Sequence, residues 1–197
     1  MQCRLIFLYL FVLISPAVMA APISYSRDIQ PIFTDKCVAC HACYDAPCQL
    51  NLGSAEGTER GGSQRAVYDG ARTKEQATSR LFFDANNAAA WRRKDFYSVL
   101  ERQDHQAALM TRMWALGHQT PLTANAKLPD DIDVGIYRKN QCPSPQEFAD
   151  YQAKNPQGGM PFAVTGLDAQ QYQTLQSWLA AGAVVDTQVV QANISET

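Results

Sequence analysis

The feature that most constrains this chain is the pentapeptide Cys37-Val38-Ala39-Cys40-His41. A Cys-x-x-Cys-His sequence is typical of covalent attachment of a c-type haem. The two thiols can bond to the two vinyl-derived carbons of the porphyrin, and the adjacent imidazole can bind the iron from one face. We therefore predict one covalent haem c, attached through Cys37 and Cys40, with His41 as an iron ligand.

Residues 1–20 have the pattern of a secretory signal peptide. Arg4 supplies a positive start, residues 5–14 are apolar, and Val18-Met19-Ala20 fits the small-residue pattern before a cleavage site. The apolar run is shorter than the roughly 20 residues that span a bilayer, so an uncleaved anchor is the less favoured alternative. The mature chain is expected to begin at Ala21 and to lie in a bacterial periplasm, where haem c would be attached.

Composition and charge restrict the class of protein. With 46% hydrophobic and 18% charged residues the chain can form a core, and its 197 residues allow one domain. The net charge of −2 is too weak to indicate nucleic-acid binding. The short basic run Arg92, Arg93 and Lys94 is expected to be a solvated helix face.

Three cysteines remain once Cys3 leaves with the signal and Cys37 and Cys40 hold haem: Cys43, Cys48 and Cys142. In an oxidising compartment Cys48 can pair with Cys43 locally or with Cys142 at long range, and the sequence leaves both pairings open. One free thiol would remain.

An iron–sulfur cluster is the competing interpretation, because Cys37, Cys40, Cys43 and Cys48 run at spacings close to a ferredoxin ligand set. Three features favour haem instead. His41 follows the second cysteine directly, Pro47 precedes the last cysteine instead of following it, and export would precede cluster insertion. A plain disulfide-stabilised domain is the third alternative.

Helices are predicted on both sides of a long middle segment. One begins at Ser26 or Asp28 and leads into the haem motif. Another covers residues 169–181, with Asp168 as N-cap, Gln171 as its capping-box partner and Gly182 at the C-cap. A small cytochrome c has this order of elements: helix, haem motif, variable loops, ligand loop and final helix.

Met160 is the candidate for the second axial ligand of the iron. It lies in Gly158-Gly159-Met160-Pro161, a loop just before the final helix, and a thioether paired with histidine is a known haem arrangement. His105 and His118 are the alternatives. Met110 and Met113 are expected to fill the core instead, on a helix over residues 106–116 that Gly117 ends.

The middle segment, residues 50–137, is longer than a minimal cytochrome c needs. We expect a loop at 53–62, a turn at 67–70, a buried run at 81–84, a helix within 85–102, an irregular stretch at 119–133 and a helix start at 144–147. The predicted fold is therefore mainly α: a cytochrome c-like haem domain over residues 21–185 with a long helical and irregular insertion. Residues 186–197 form a polar tail.

Several segments together have a more specific pattern than a bare haem motif. They are Asp28-Ile29-Gln30-Pro31-Ile32-Phe33, the run from Cys37 to Leu50, Tyr68-Asp69-Gly70, Arg80-Leu81-Phe82, Trp91-Arg92, Gln141-Cys142-Pro143, Glu147-Phe148 and Gly159-Met160-Pro161. In these segments the chain resembles the amino-terminal region of bacterial fatty acid cis/trans isomerases.

The resemblance implies a periplasmic haem c enzyme that converts cis double bonds of membrane unsaturated fatty acids to trans, through an electrophilic ferric haem. Its partners would be unsaturated fatty acids or phospholipids at the membrane surface. Members of that family are several times longer, which implies a further carboxyl-terminal domain beyond this chain. The alternative function is a c-type cytochrome domain that transfers electrons and has no substrate.

Overall fold

The computed structural model describes residues 22–42, 46–65, 79–130, 132 and 141–185. The predicted signal peptide at 1–20, Cys43, the turn at 67–70 and the tail at 186–197 lie outside the described residues. In the described part of the chain, helices dominate and one small sheet is present. The mainly α prediction is confirmed, whereas the cytochrome c-like arrangement stays a prediction.

The described helices α1 to α6 span Gln30–Lys36, Ala55–Arg60, Ala88–Arg92, Leu109–Gln119, Phe148–Lys154 and Ala169–Ala180. A π-helical turn, Tyr25–Ile29, leads into α1, and a 3-10 turn covers Pro47–Gln49. Strand β1, Gly62–Ser63, pairs antiparallel with β2, Phe96–Tyr97. Across the described ranges, no helix has the length and apolar character needed to cross a membrane.

Helix α6 begins and ends as its sequence predicts. The Asp168 carboxylate accepts a bond from the Gln171 N–H at 2.8 Å, and the Gln171 side chain accepts one from the Asp168 N–H at 3.1 Å. At the other end Gly182 adopts a φ of +92°, and the N–H groups of Gly182 and Ala183 bond back to the last helical turn. Local polar signals were sufficient here because both caps use neighbouring residues.

The amino-terminal helix starts slightly earlier than predicted. The Ser24 hydroxyl accepts from the Arg27 N–H, and the Asp28 carboxylate accepts from the Ser24 N–H at 2.8 Å. Ser24 is therefore the cap, with Asp28 as its reciprocal partner. Pro31 carries no N–H for a helical bond, which is tolerated because it lies at the start of α1.

The secondary structure of the middle segment departs from prediction at two places. The predicted loop at 53–62 contains α2, capped by the Ser54 hydroxyl, which accepts from the Gly57 N–H at 3.1 Å. The predicted helix over 85–102 is only the short α3, after which Asp95 takes a positive φ and the chain enters β2. Local apolar spacing overestimated this helix because Phe96 packs back onto Trp91 as part of a strand.

Two further expectations for the middle were wrong at the side-chain level. In the run 81–84 only Leu81 is buried, while Phe82 and Phe83 face solvent. Arg92 is no solvated helix residue, since its guanidinium donates to the carbonyl groups of Glu59, Arg60 and Phe96.

The main core lies between the amino-terminal helix, α4 and α6. Phe33 is fully buried, and its ring contacts Tyr25, Trp114 and Trp178 at centroid distances of 6.1, 6.2 and 6.1 Å. These four aromatic residues come from the amino-terminal helix, α4 and α6. Since the Cys37–His41 motif follows α1 directly, this packing sets its position.

A disulfide joins Cys48 to Cys142, with their Cα atoms 5.3 Å apart. That distance suits a disulfide, and the bridge decides between the two pairings that the sequence left open. It also removes Cys48 from any cluster of four cysteine ligands, which counts against the iron–sulfur interpretation. Its sequence separation of 94 makes this the longest-range covalent constraint among the described residues.

Replacing both cysteines, Cys48→Ser with Cys142→Ser, should lower the free energy of unfolding by about 2–5 kcal/mol, because the unfolded chain regains the entropy of a long loop. Urea unfolding followed by tryptophan fluorescence measures this. Wild-type protein kept reduced serves as the control and should match the variant. A variant as stable as oxidised wild type would show that the bridge does not stabilise the fold.

Candidate functional site

The Cys37–His41 motif continues the last turn of α1. The Cys37 N–H bonds to the Phe33 carbonyl at 2.8 Å, and the His41 N–H bonds to the Cys37 carbonyl at 2.9 Å. This turn places both thiols and the imidazole along one cavity wall. Cys37 is half-buried, Cys40 is exposed, and neither thiol is in a disulfide.

Burial sets the charge state of the motif. The pKa of the Cys37 thiol is raised to about 12, first by burial and then by the negative charges of Cys40 and Asp35. This thiol is therefore neutral at physiological pH as long as no group is bound to it.

The His41 imidazole is almost fully buried at the cavity edge. Burial lowers its pKa, although the nearby carbonyl groups of Leu50 and Pro47 act in the opposite direction. The ring is therefore neutral, which is the form that binds metal ions. Its Nδ1 atom is buried and has no hydrogen-bond partner. A buried polar nitrogen without a partner is costly, so a bound group that orients this ring would remove a penalty.

Met160 lines the same cavity, at the end of a loop held against α4. Its N–H donates to the Met113 carbonyl at 2.9 Å, and the Tyr151 hydroxyl donates to the Gly158 carbonyl at 2.6 Å. Gly117 permits this contact because a Cβ built on it would lie 2.2 Å from the Met160 carbonyl oxygen. Gly117 thus lies inside α4 and does not end it, contrary to the sequence expectation.

The remaining cavity wall is mostly apolar and comes from several separate segments of the described chain. The space has a volume of about 300 Å³, at the lower end of the range for ligand pockets. Apolar lining residues are Leu50, Leu52, Val99, Leu109, Met110, Met113, Trp114 and Phe162. The polar ones include Lys36, Tyr97, Gln141 and Thr165. Such a wall suits a flat apolar group or a hydrocarbon chain.

The structure brings together the four site residues predicted from sequence: Cys37, Cys40, His41 and Met160 all line this cavity. His105 and His118, the alternative iron ligands, do not line it. The His105 ring contacts Gln106 at 2.9 Å, and His118 stacks on Tyr172 with ring centroids 4.6 Å apart.

Sequence reasoning missed most of the wall. Met110 and Met113 are buried as expected, but they also face the cavity. Tyr97 and Gln141 reach it through the β1–β2 pairing and the Cys48–Cys142 bridge, which no local pattern reveals. The one usable signal was the Met110–Met113 spacing on an amphipathic helix, since methionine often lines adaptable apolar pockets.

The described chain is a small, mainly helical protein with an apolar cavity beside a Cys-x-x-Cys-His turn. The family model described as fatty acid cis/trans isomerase (CTI) matches residues 76–197, well over half of the chain. The chain therefore belongs to the fatty acid cis/trans isomerase family. The matched span contributes Tyr97, α4 and Met160 to the cavity, while the Cys37–His41 motif precedes it. Comparison with curated proteins and with solved structures found no match.

Gly117→Ala should lower the free energy of unfolding by about 1–3 kcal/mol, because the new methyl group meets the Met160 backbone. The sign is informative, since alanine inside a helix otherwise adds about 1 kcal/mol of stability over glycine. Urea unfolding gives the stability, and the NMR resonance of the Met160 methyl group should shift.

Gly166→Ala is the matched control, because its Cβ would lie at an ordinary 3.4 Å from Pro121. That variant should leave the Met160 resonance in place. If Gly117→Ala proved stabilising and left the resonance unchanged, the loop would not be held as described.

Proposed function

We propose that this chain is a haem c protein that converts cis double bonds of unsaturated membrane fatty acids to trans. Its family is one of fatty acid cis/trans isomerases, and the matched residues share an apolar cavity with the Cys37–His41 turn. That shared cavity carries the proposal. The periplasm is the proposed location, because covalent haem attachment and the leader pattern at residues 1–20 both indicate export.

The residues at the cavity edge fit a covalently held haem. Cys37 and Cys40 would form the two thioether bonds, since both thiols are free and follow one helical turn. His41 would bind the iron through a neutral imidazole, and Met160 would be the second ligand. When bound, the haem would supply an electrophilic ferric iron that draws electron density from a double bond and eases rotation about it.

The cavity wall would hold the acyl chain and keep water away from it. Rotation about a double bond transfers no proton, whereas a general base would move the bond along the chain. Tyr97 is the phenol in the wall, and burial raises its pKa, so it stays protonated and does not act as a base. His41 would not act as a base either, because the ring nitrogen that could accept a proton would bind the iron.

Met160 would be a ligand that can move without its loop. Its backbone is fixed by the bond to Met113, but a methionine side chain has three rotatable bonds. The side chain could therefore hold the second side of a bound haem iron or clear that side of the cavity for an alkene.

Purified protein from an exporting host should show the bands of haem c after alkaline pyridine treatment. Cys37→Ser with Cys40→Ser should lose covalent haem.

Met160→Ala should abolish the near-infrared absorption of a thioether bound to ferric iron, because Met160 is the proposed ligand on that side and alanine carries no thioether. Met110→Leu is the matched control, since Met110 lines the same cavity, and it should keep the band. Persistence of the band in Met160→Ala would identify a different ligand.

The isomerase activity is tested by incubating the haem-loaded chain with vesicles of cis-monounsaturated phospholipid and measuring trans product by gas chromatography. Trans product is expected with wild type and absent with the double cysteine variant. Haem that is reversibly reduced by small donors, together with no trans product, would instead support the electron-transfer function.

A further inference from the structure

Phe82 and Phe83 present two adjacent phenyl rings to solvent. Their exposed fractions are 67% and 77%, whereas Leu81 beside them is buried. Single exposed apolar residues are ordinary on a protein surface. Two neighbouring phenylalanines at the tip of one turn are different, because together they form a compact apolar projection that some partner would cover.

The turn that carries these rings is well held. The Arg80 N–H and guanidinium both donate to the Asp84 carboxylate, at 2.7 and 2.9 Å. Leu81 packs into a second small core with Trp91 and Phe96. The fold therefore presents the two rings in a defined position, anchored from below by α3 and β2.

Cationic side chains lie next to the projection. The Arg80 guanidinium lies over the Phe83 ring, 5.6 Å from its centroid, and the Arg80 side chain is 61% exposed. Arg93 and Lys94, which follow α3, are also exposed, and Lys94 is close enough to Asp84 to help lower the pKa of that carboxyl after the bonds from Arg80. The nearby carboxylates of Asp84 and Asp95 are each bonded to an arginine. The surface next to the rings is therefore suited to anionic groups.

We infer that the Phe82–Phe83 turn is a membrane contact, in which both rings enter the interface of an anionic phospholipid bilayer and Arg93 and Lys94 face the headgroups. Aromatic side chains favour the membrane–water interface, and nearby cations add attraction to anionic lipid. The inference rests on the proposed function in one respect: that function places the substrate acyl chains in a bilayer. Neither ring lines the cavity, so this surface is separate from the candidate site.

Vesicle flotation tests the contact without depending on catalysis. Wild type should bind vesicles of phosphatidylethanolamine and phosphatidylglycerol, and Phe82→Ser with Phe83→Ser should reduce the partition coefficient about tenfold or more, because two apolar side chains are no longer buried. Phe82→Trp with Phe83→Trp should keep binding. Arg93→Gln with Lys94→Gln should weaken binding to anionic vesicles and leave binding to phosphatidylcholine vesicles unchanged.

Val184→Ser is the matched surface control, since Val184 is 62% exposed elsewhere on the chain, and it should bind as wild type does. Both rings are exposed, so the serine variant should unfold at the same urea concentration as wild type. Equal partition of the serine variant and wild type would overturn the inference. So would a wild type that self-associates through these rings and ignores vesicles, because the partner would then be a second copy of the chain.

The activity assay separates this inference from the proposed function. The serine variant should isomerise detergent-dispersed free fatty acid at the wild-type rate, but it should form less trans product from vesicle phospholipid. If neither protein forms trans product from either substrate, the proposed isomerase function fails, while the flotation result still decides the membrane contact.

Discussion

The packing of Phe33 is the interaction on which the rest of the structure depends. This ring is fully buried and touches Tyr25, Trp114 and Trp178, so it joins the amino-terminal helix to α4 and α6. Large aromatic side chains contribute much of a small core because each buries a large apolar area. The Cys37–His41 turn begins four residues after Phe33 and continues the same helix, so the packing of the core also fixes the position of the candidate site.

Two close contacts then build the cavity on that core. The backbone of the Met160 loop lies directly against Gly117. The Cys48–Cys142 disulfide brings Gln141 beside Cys48, where Gln141 joins the cavity wall. The first contact requires that Gly117 has no Cβ atom, and the second requires the sulfur–sulfur bond. The cavity is therefore a product of long-range contacts, which explains why segments far apart in the sequence contribute to its wall.

Burial gives the site a common electrostatic character. It raises the pKa of Cys37 and Tyr97 and lowers that of His41, so all three are neutral at physiological pH. Desolvation disfavours the charged form of each group. A neutral, apolar site is suited to hydrocarbon chemistry that transfers no proton, in keeping with the family to which the chain belongs. By contrast, the exposed Phe82–Phe83 turn has the cationic Arg80 side chain against the Phe83 ring, which suits contact with an anionic membrane surface.

Local patterns in the sequence are sufficient for the features that rest on neighbouring residues, which are the helical class and the capping box and Gly182 end of α6. The same patterns predict Cys37, Cys40, His41 and Met160 as site residues, and the fold places all four along one cavity. Local patterns fail where contacts between distant residues decide. Glycine often ends helices, which predicts a helix end at Gly117, yet the Met160 backbone needs this glycine inside α4. Their apolar character predicts burial of Phe82 and Phe83, yet only Leu81 meets Trp91. Tertiary structure alone chose the disulfide pairing and assembled the cavity wall, because both require segments that are far apart in the chain to meet.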